Sequence, residues 1–259
     1  APFLSRRMFL GRACASAASL AAGVAMPRLS RAADRPLITH GIQCGDVSGD
    51  SAVVWSRADR PARIMVEIAT SDSFRDIHQT LFADALPESD FTAKLLADDL
   101  PPAQEIFYRV RFQNLSFPDV FSEPQVGRFR TAAGPRRSVS FTWSGDTAGQ
   151  GWGIDEARGG MRGFSAMRDN RPDFFIHSGD SIYADCPIER DLKLPDGGSW
   201  RNLVTEDKAC VAQTLAQFRG NYKYNLLDKH LLAFNAEVPV LAQWDDHEVA
   251  NDWWPNGRI

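Results

Sequence analysis

Residues 173–183 read DFFIHSGDSIY, a short apolar run followed directly by turn-forming residues. The run Asp173–His177 has the length and composition of a buried strand, and Gly179-Asp180 ends it. Two further runs follow the same plan, an apolar strand and then an acidic residue. They are Ser138–Trp143 before Asp146 and Val238–Trp244 before Asp245-Asp246.

Apolar residues at helical spacing separate these three strands. Met161, Phe164 and Met167 predict one helix, and Leu227, Leu231 and Phe234 predict another. A longer helix, with Thr205 as its expected N-cap, is marked by Val211, Leu215, Phe218 and Tyr222. Strands that alternate with helices predict an α/β domain over residues 138–259.

The preceding part of the chain has a different pattern of polar and apolar residues. Glu105–Phe112 alternates polar and apolar residues, and Ser51–Ser56 and Arg63–Thr70 do so less strictly. The apolar face of the first segment consists of Ile106, Tyr108, Val110 and Phe112. About seven short strands predict an immunoglobulin-like β-sandwich over residues 36–132. The predicted fold is therefore this sandwich followed by an α/β domain.

Residues 1–33 are expected to be a targeting signal outside the fold. They contain five arginines and no acidic residue, and Ser5–Leu10 (SRRMFL) precedes the apolar stretch Ala13–Met26. The pattern resembles the twin-arginine (Tat) signal of exported bacterial proteins, with an ordinary secretory signal or an uncleaved anchor as the alternative. The stretch is too short to span a bilayer, so no membrane span is expected in the mature chain. We therefore expect a periplasmic or secreted protein that uses the Tat export machinery.

Composition excludes several classes of protein. A hydrophobic content of 44% excludes a disordered chain. Without the five arginines of residues 1–33, the net charge of −4 becomes −9, which argues against a nucleic-acid-binding surface. Four cysteines are too few for a disulfide scaffold, and the three outside the leader allow at most one disulfide.

The acidic residues that follow the three strands predict a metal site. In open α/β sheets, ligands bind beyond the carboxyl ends of the strands, so these side chains should converge. Clustered carboxylates repel one another unless a cation compensates. A carboxylate shared between two metals is a requirement of two-metal phosphoryl chemistry. The sequence therefore predicts a dinuclear metal site that hydrolyses phosphate esters.

Three motifs resemble those of the PhoD-type alkaline phosphatases in the metallophosphoesterase superfamily. They are Gly145-Asp146-Thr147, Ser178–Tyr183 (SGDSIY) and Trp244–Asn251 (WDDHEVAN), and Gly41–Trp55 resembles the start of the family's N-terminal domain. The resemblance implies a metallophosphoesterase fold and hydrolysis of phosphate mono- or diesters, in a small molecule or a polymer. It also implies iron and calcium, or another divalent pair, as cofactors.

The resemblance assigns metal ligands residue by residue. Asp146 would bind the first metal, and Asp180 would be the bridging carboxylate. Tyr183 would be a phenolate ligand of a ferric ion, and Asp246 would bind the second metal. Many members carry a cysteine iron ligand near the end of the first catalytic strand, where this chain reads WSGD at 143–146.

The same resemblance assigns catalytic roles. His247 would donate a proton to the leaving oxygen or stabilise the phosphoryl oxygens, and Glu248 would orient it. Asp245 would support the metal ligands without binding a metal itself. Further histidine ligands of the family follow the Asp-His-Glu motif and are absent here, while four histidines are expected to be structural: His40, His78, His177 and His230. The chain is thus predicted to hold an incomplete α/β sandwich, the N-terminal part of such a phosphatase, with little or no turnover by itself.

Two other functions are compatible with the residues alone. In one, an exported non-catalytic binding protein holds structural calcium at the strand-end carboxylates. In the other, a sugar-binding sandwich is fused to an unrelated α/β domain, although the sandwich lacks a row of exposed tryptophans. Replacing Asp180 by Asn separates an enzyme, which loses hydrolysis, from a calcium-stabilised fold, which loses folding.

Overall fold

The computed structural model describes residues 32–132, 134 and 137–256. The strands in these ranges are β1 Ile38–Gly45, β2 Ala52–Ala58, β3 Ala62–Ala69, β4 Ile77–Ala85, β5 Thr92–Ala97, β6 Glu105–Asn114, β7 Gln125–Arg130, β8 Phe141–Ser144, β9 Phe174–His177, β10 Asp191–Lys193, β11 Ser199–Arg201 and β12 Val240–Ala242. The α-helices are α1 Arg162–Asp169, α2 Leu215–Asn225 and α3 Lys229–Asn235. None of the helices in the described ranges is long and apolar enough to cross a membrane.

The predicted leader lies almost entirely outside the described residues. Only its last two residues are described, in the short 3-10 helix Ala32–Asp34. From Pro36 onward the described chain forms one compact unit.

The first seven strands form two layers. One contains β5-β2-β1 and the other contains β4-β3-β6-β7, with antiparallel pairing within each layer. The predicted apolar face of β6 is confirmed, because Ile106, Tyr108, Val110 and Phe112 are all fully buried in the core between the layers. The immunoglobulin-like character of this sandwich stays a prediction.

The sandwich and the α/β region share a sheet. Strand β1 pairs with β12 in parallel, with Gly45 opposite Val240, and the complete order is β5-β2-β1-β12-β9-β8. Half of this sheet is antiparallel and belongs to the sandwich, and the other half is parallel. The strands of the α/β region are therefore held in place by the sandwich.

A second contact between the two regions lies at the end of α3. The Ala236 carbonyl accepts hydrogen bonds from the Tyr108 hydroxyl (3.0 Å) and from the Arg128 backbone N–H (2.9 Å). The Arg128 guanidinium also pairs with Glu237 (2.9 Å). Gly127 allows this approach, because a Cβ there would lie 2.3 Å from the Ala236 oxygen.

Aromatic packing joins the helices to the parallel strands. Phe175 of β9 lies 5.2 Å from Phe234 of α3 and 6.2 Å from Phe164 of α1, between ring centroids. Helices form in the three predicted regions, but Met161, Val211 and Leu227 lie just outside them. The N-cap predicted for the longest helix is wrong. Its cap is Thr214, which forms a capping box with Gln217, whereas Thr205 precedes a separate 3-10 helix at Asp207–Ala209.

His40 makes the stability of the fold depend on pH. Burial, together with the charges of Arg57 and Lys223, lowers the pKa of His40 from 6.5 to about 4. A folded state that resists protonation loses stability as the pH falls from about 6.5 towards about 4, by roughly 2 kcal/mol. We expect the variant His40→Gln to lose this part of the pH dependence in urea unfolding measured across that window. The exposed His78→Gln is the control, and equal pH dependence in wild type and His40→Gln would contradict the expectation.

Candidate metal centre

Three parallel strands deliver the predicted acidic residues to one edge of the sheet. Ser144 at the end of β8 lies opposite His177 at the end of β9, and His177 lies opposite Ala242 at the end of β12. The loops that follow therefore leave from the same edge. Asp146 and Asp180 both adopt the left-handed backbone conformation, with φ of 58° and 52°. Aspartate tolerates this conformation better than most residues, which suits both strand ends.

Asp146 and Tyr183 form one side of the site. The Tyr183 hydroxyl donates to Asp146 Oδ2 (3.1 Å), and the Tyr183 ring is buried. Burial and the hydrogen bond to Asp146 raise the pKa of Tyr183 above its usual value, with the charge of Asp180 adding to the effect. The phenol is therefore neutral in the metal-free site, and a phenolate ligand would require a bound cation that displaces its proton.

Asp180, Asp246 and His247 form the other side. Each offers a possible ligand atom, and these atoms all lie within 4.8 Å of one another. Asp180 is buried, and its Oδ1 accepts the backbone N–H of His247 (3.2 Å). Burial raises the pKa of Asp180, and the negative charge of Asp146 adds to the rise. A bound cation would remove this free-energy cost of ionising a buried carboxylate.

The orienting partner of His247 is Asp185, so the prediction that Glu248 orients it is wrong. The Nδ1 atom of His247 lies 2.8 Å from Asp185 Oδ1, while the imidazole stacks on Tyr183 at 4.3 Å between centroids. Burial lowers the pKa of His247, but the hydrogen bond and charge of Asp185 outweigh it and raise the pKa overall, with help from Asp180 and Asp246. Nε2 is left as the ring nitrogen without a partner among the described residues.

Glu248 fastens the loop that carries Asp180. Its buried carboxylate accepts the backbone N–H groups of Ser181 (2.6 Å), Asp245 (2.9 Å) and Asp180 (3.2 Å). Each of these N–H groups would otherwise need another partner. Glu248 therefore holds the β9 loop against the β12 loop, and Asp245 takes part in this contact through its backbone.

Sequence reasoning missed a buried lysine behind the site. Lys208 is 2% exposed, and its Nζ donates to the Tyr183 carbonyl (2.8 Å) and to Asn221 Oδ1 (3.1 Å). Burial lowers the pKa of Lys208 to about 8. No local pattern marks Lys208, because its partner is a backbone carbonyl 25 residues earlier. Asp185 could have been noticed as an acidic residue close after the Gly-Asp-x-x-Tyr motif.

His177 lies in the sheet beneath the Asp180 loop. Its Nε2 is joined to Thr147 Oγ1 by a hydrogen bond of 2.8 Å, and its Nδ1 lies 3.5 Å from Ser181 Oγ. Burial lowers the pKa of His177, which keeps the ring neutral. These contacts place it as a support between the β8 and β9 loops.

The donor atoms at this edge suit hard or intermediate cations. Three carboxylates, one phenol and one imidazole nitrogen are available, with no thiol among them. Oxygen-rich sets of this kind bind Ca²⁺, Mg²⁺, Mn²⁺ or iron rather than soft metals. The residues therefore fit a metal centre.

Comparisons with known proteins find phosphatase family models and a phosphatase relative. The family model described as PhoD-like phosphatase matches residues 141–258, and that described as PhoD-like phosphatase, N-terminal domain, matches residues 22–133. Alkaline phosphatase D of Bacillus subtilis (strain 168) is 27% identical over 227 residues, which are 83% of this chain and 36% of that protein. The chain thus spans little more than a third of the length of this curated relative.

Two solved structures have folds similar to that of this chain. A structure titled "Structure of PhoD" has a TM-score of 0.67 and 25% identity over 88% of this chain and 42% of its own. Purple acid phosphatase PPD1 from yellow lupin seeds has a TM-score of 0.50 and 13% identity over 86% of this chain and 36% of its own, a likeness of fold alone.

The comparisons define a metallophosphoesterase-like fold, with a candidate metal site among its strand-end residues. Within that class, the chain belongs to the PhoD-like phosphatase family, whose two models together match most of its length.

Proposed function

We propose that this chain carries the N-terminal part of a metal-dependent phosphatase that hydrolyses phosphate mono- and diesters. The observation that supports this most is the convergence of Asp146 and Tyr183 with Asp180, Asp246 and His247 at one sheet edge of a PhoD-family chain. The substrate would be a phosphate ester of a small molecule or a polymer.

Asp146 and Tyr183 would hold one metal and Asp246 the other, with the buried Asp180 between them as the shared carboxylate. Iron and calcium, or another divalent pair, suit these donors. Such a pair supplies Lewis acidity and lowers the pKa of a bound water.

His247 would supply the proton for the leaving oxygen from Nε2. Its Nδ1 is engaged by Asp185, which orients the ring and favours its protonated form. Glu248 would act by positioning the Asp180 loop, and Lys208 by holding the backbone of Tyr183. Neither of these two needs to touch the substrate.

We further propose export through the Tat machinery and a periplasmic or secreted location. The support is the sequence of residues 5–26 alone, an Arg-Arg pair followed by an apolar stretch.

The test of the proposed function is metal-dependent hydrolysis by the full-length protein. We expect release of p-nitrophenol from p-nitrophenyl phosphate or bis(p-nitrophenyl) phosphate, loss of this activity after dialysis against a chelator, and recovery after adding back Fe³⁺ with Ca²⁺, or Mn²⁺. Equal rates before and after complete metal removal, verified by elemental analysis, would contradict the proposal.

The 259 residues by themselves are expected to show little or no turnover, because His247 is the one histidine that the described residues group with acidic side chains as a candidate metal ligand. Metal-dependent hydrolysis of the same aryl esters by purified residues 34–259 would overturn this expectation.

A further inference from the structure

Two backbone hydrogen bonds align the segment after β9 with the segment before α2. Ala212 N donates to Ala184 O (2.8 Å), and Ile188 N donates to Lys208 O (3.0 Å). The two bonds are four residues apart on both segments, which run in opposite directions. The positions midway between the bonds therefore lie where the two segments are held side by side.

The midway positions are Cys186 and Cys210. A disulfide needs Cα atoms about 4.4–6.8 Å apart, and the two hydrogen bonds hold the backbones together on both sides of these cysteines. Both cysteines are half-buried, and both carry free thiols in this structure. We propose that Cys186 and Cys210 are a disulfide-forming pair that closes when the protein is oxidised.

The present contacts of the Cys210 thiol oppose formation of the disulfide only weakly. Its Sγ lies 3.7 Å from the Glu206 carbonyl and 3.8 Å from the Asp207 carbonyl, and it accepts from Gln217 Nε2 at 3.5 Å. Thiols are weak hydrogen-bond donors and acceptors, so a rotation about χ1 of Cys210 breaks only weak hydrogen bonds.

Cys44 cannot compete for either partner in the folded protein. It is 3% exposed in the sandwich core, with its Sγ directed at the Arg128 carbonyl. Of the cysteines in the described part of the chain, only Cys186 and Cys210 lie on adjacent segments.

The disulfide would link the two segments that support the sheet edge carrying Asp146, Asp180 and Asp246. Cys186 follows Asp185, the partner of His247, and Cys210 lies two residues after Lys208, which holds the Tyr183 carbonyl. Closing the 25-residue loop from Cys186 to Cys210 restricts the unfolded chain. The disulfide therefore stabilises this region, whatever reaction the edge performs.

The oxidant is a small-molecule or protein disulfide, for which glutathione disulfide serves as the probe. One cysteine thiolate attacks it, forming a mixed disulfide and releasing one glutathione thiolate. The second cysteine thiolate attacks the protein sulfur of that mixed disulfide and releases the second glutathione. The two protein thiols lose two protons and two electrons, and the electrons reduce glutathione disulfide to two thiols.

The experiment incubates the folded chain with glutathione disulfide, blocks remaining thiols by alkylation, and maps the disulfides after non-reducing tryptic digestion. Arg190, Arg201 and Lys208 separate the two cysteines into different peptides. We expect one linked pair, containing Cys186 and Cys210, and its disappearance after reduction.

Three variants make the outcome specific. Cys210→Ser should leave Cys186 as a glutathione mixed disulfide, Cys186→Ser should do the reverse at Cys210, and Cys44→Ser should form the link as wild type does. Full alkylation of both cysteines in the folded, oxidised wild type would overturn the proposal, as would a linked pair that forms only in urea.

Thermal unfolding gives a second readout that does not depend on catalysis. We expect Tm of the oxidised wild type to exceed that of the reduced wild type by about 5–10 °C. The Cys186→Ser variant should show no such difference. An equal redox-dependent shift in wild type and Cys186→Ser would also contradict the pairing.

Discussion

Replacing Asp180 by Asn in the full-length protein is expected to lower kcat/KM for aryl phosphate esters by roughly 10³-fold while the protein stays folded. Asp180 is the most buried of the carboxylates proposed as metal ligands, and burial already raises its pKa. The amide keeps the shape of the side chain but removes the negative charge that would compensate two cations. Steady-state kinetics and circular dichroism of the same preparation measure the two effects.

The matched control is Asp76→Asn, which removes an exposed carboxylate ahead of β4 in the sandwich. It should leave both kinetics and unfolding unchanged. Loss of folding in Asp180→Asn, in a protein with no hydrolysis to lose, would favour structural calcium over catalysis. Full activity in Asp180→Asn would contradict the role of this carboxylate.

Gly179→Ala is expected to destabilise the protein by about 3 kcal/mol. Gly179 has φ of +106°, and a Cβ there would lie 2.7 Å from the Asp245 backbone nitrogen and 2.4 Å from the Asp245 Cβ. The destabilisation from the strained backbone conformation and the destabilisation from the steric overlap therefore add. Because the overlap involves backbone, relief requires the β9 and β12 loops to move apart, which would also separate Asp180 from Asp246. Urea unfolding measures the free-energy change.

Gly197→Ala separates the two contributions. Gly197 also has a positive φ, +86°, but nothing lies within 4 Å of the Cβ that alanine would add. We expect it to cost about 1 kcal/mol, the conformational part alone. Equal losses in the two variants would mean that the contact between the β9 and β12 loops does not depend on the glycine.

Periodicity predicted the strands of the fold well because their burial pattern is local. The alternation in Glu105–Phe112 corresponds to β6 with a fully buried face. The pairing of β1 with β12 could not be predicted, because it joins residues nearly two hundred positions apart through a single parallel bridge. Thr205 was predicted as a helix cap from its residue type, yet Thr214 has the glutamine three residues later that completes a capping box.

The acidic edge of the site was predictable for the same reason that the strands were. Each acid follows the end of an apolar run within three residues, and parallel pairing brings the run ends together. The contacts of the supporting residues were not predictable, since Asp185, Glu248 and Lys208 act through hydrogen bonds between distant loops. Adjacency in sequence suggested Glu248 as the partner of His247, whereas the fold brings Asp185 to its ring.

The most direct test of the metal centre is anomalous diffraction from crystals of the full-length protein grown with Mn²⁺. The proposed function predicts an anomalous peak about 2.0–2.6 Å from a carboxylate oxygen of Asp180, and a second peak beside Asp146 and Tyr183. Crystals of Asp180→Asn should lose at least one peak. The absence of any peak at this edge, in a protein that still hydrolyses phosphate esters under the same conditions, would contradict the account.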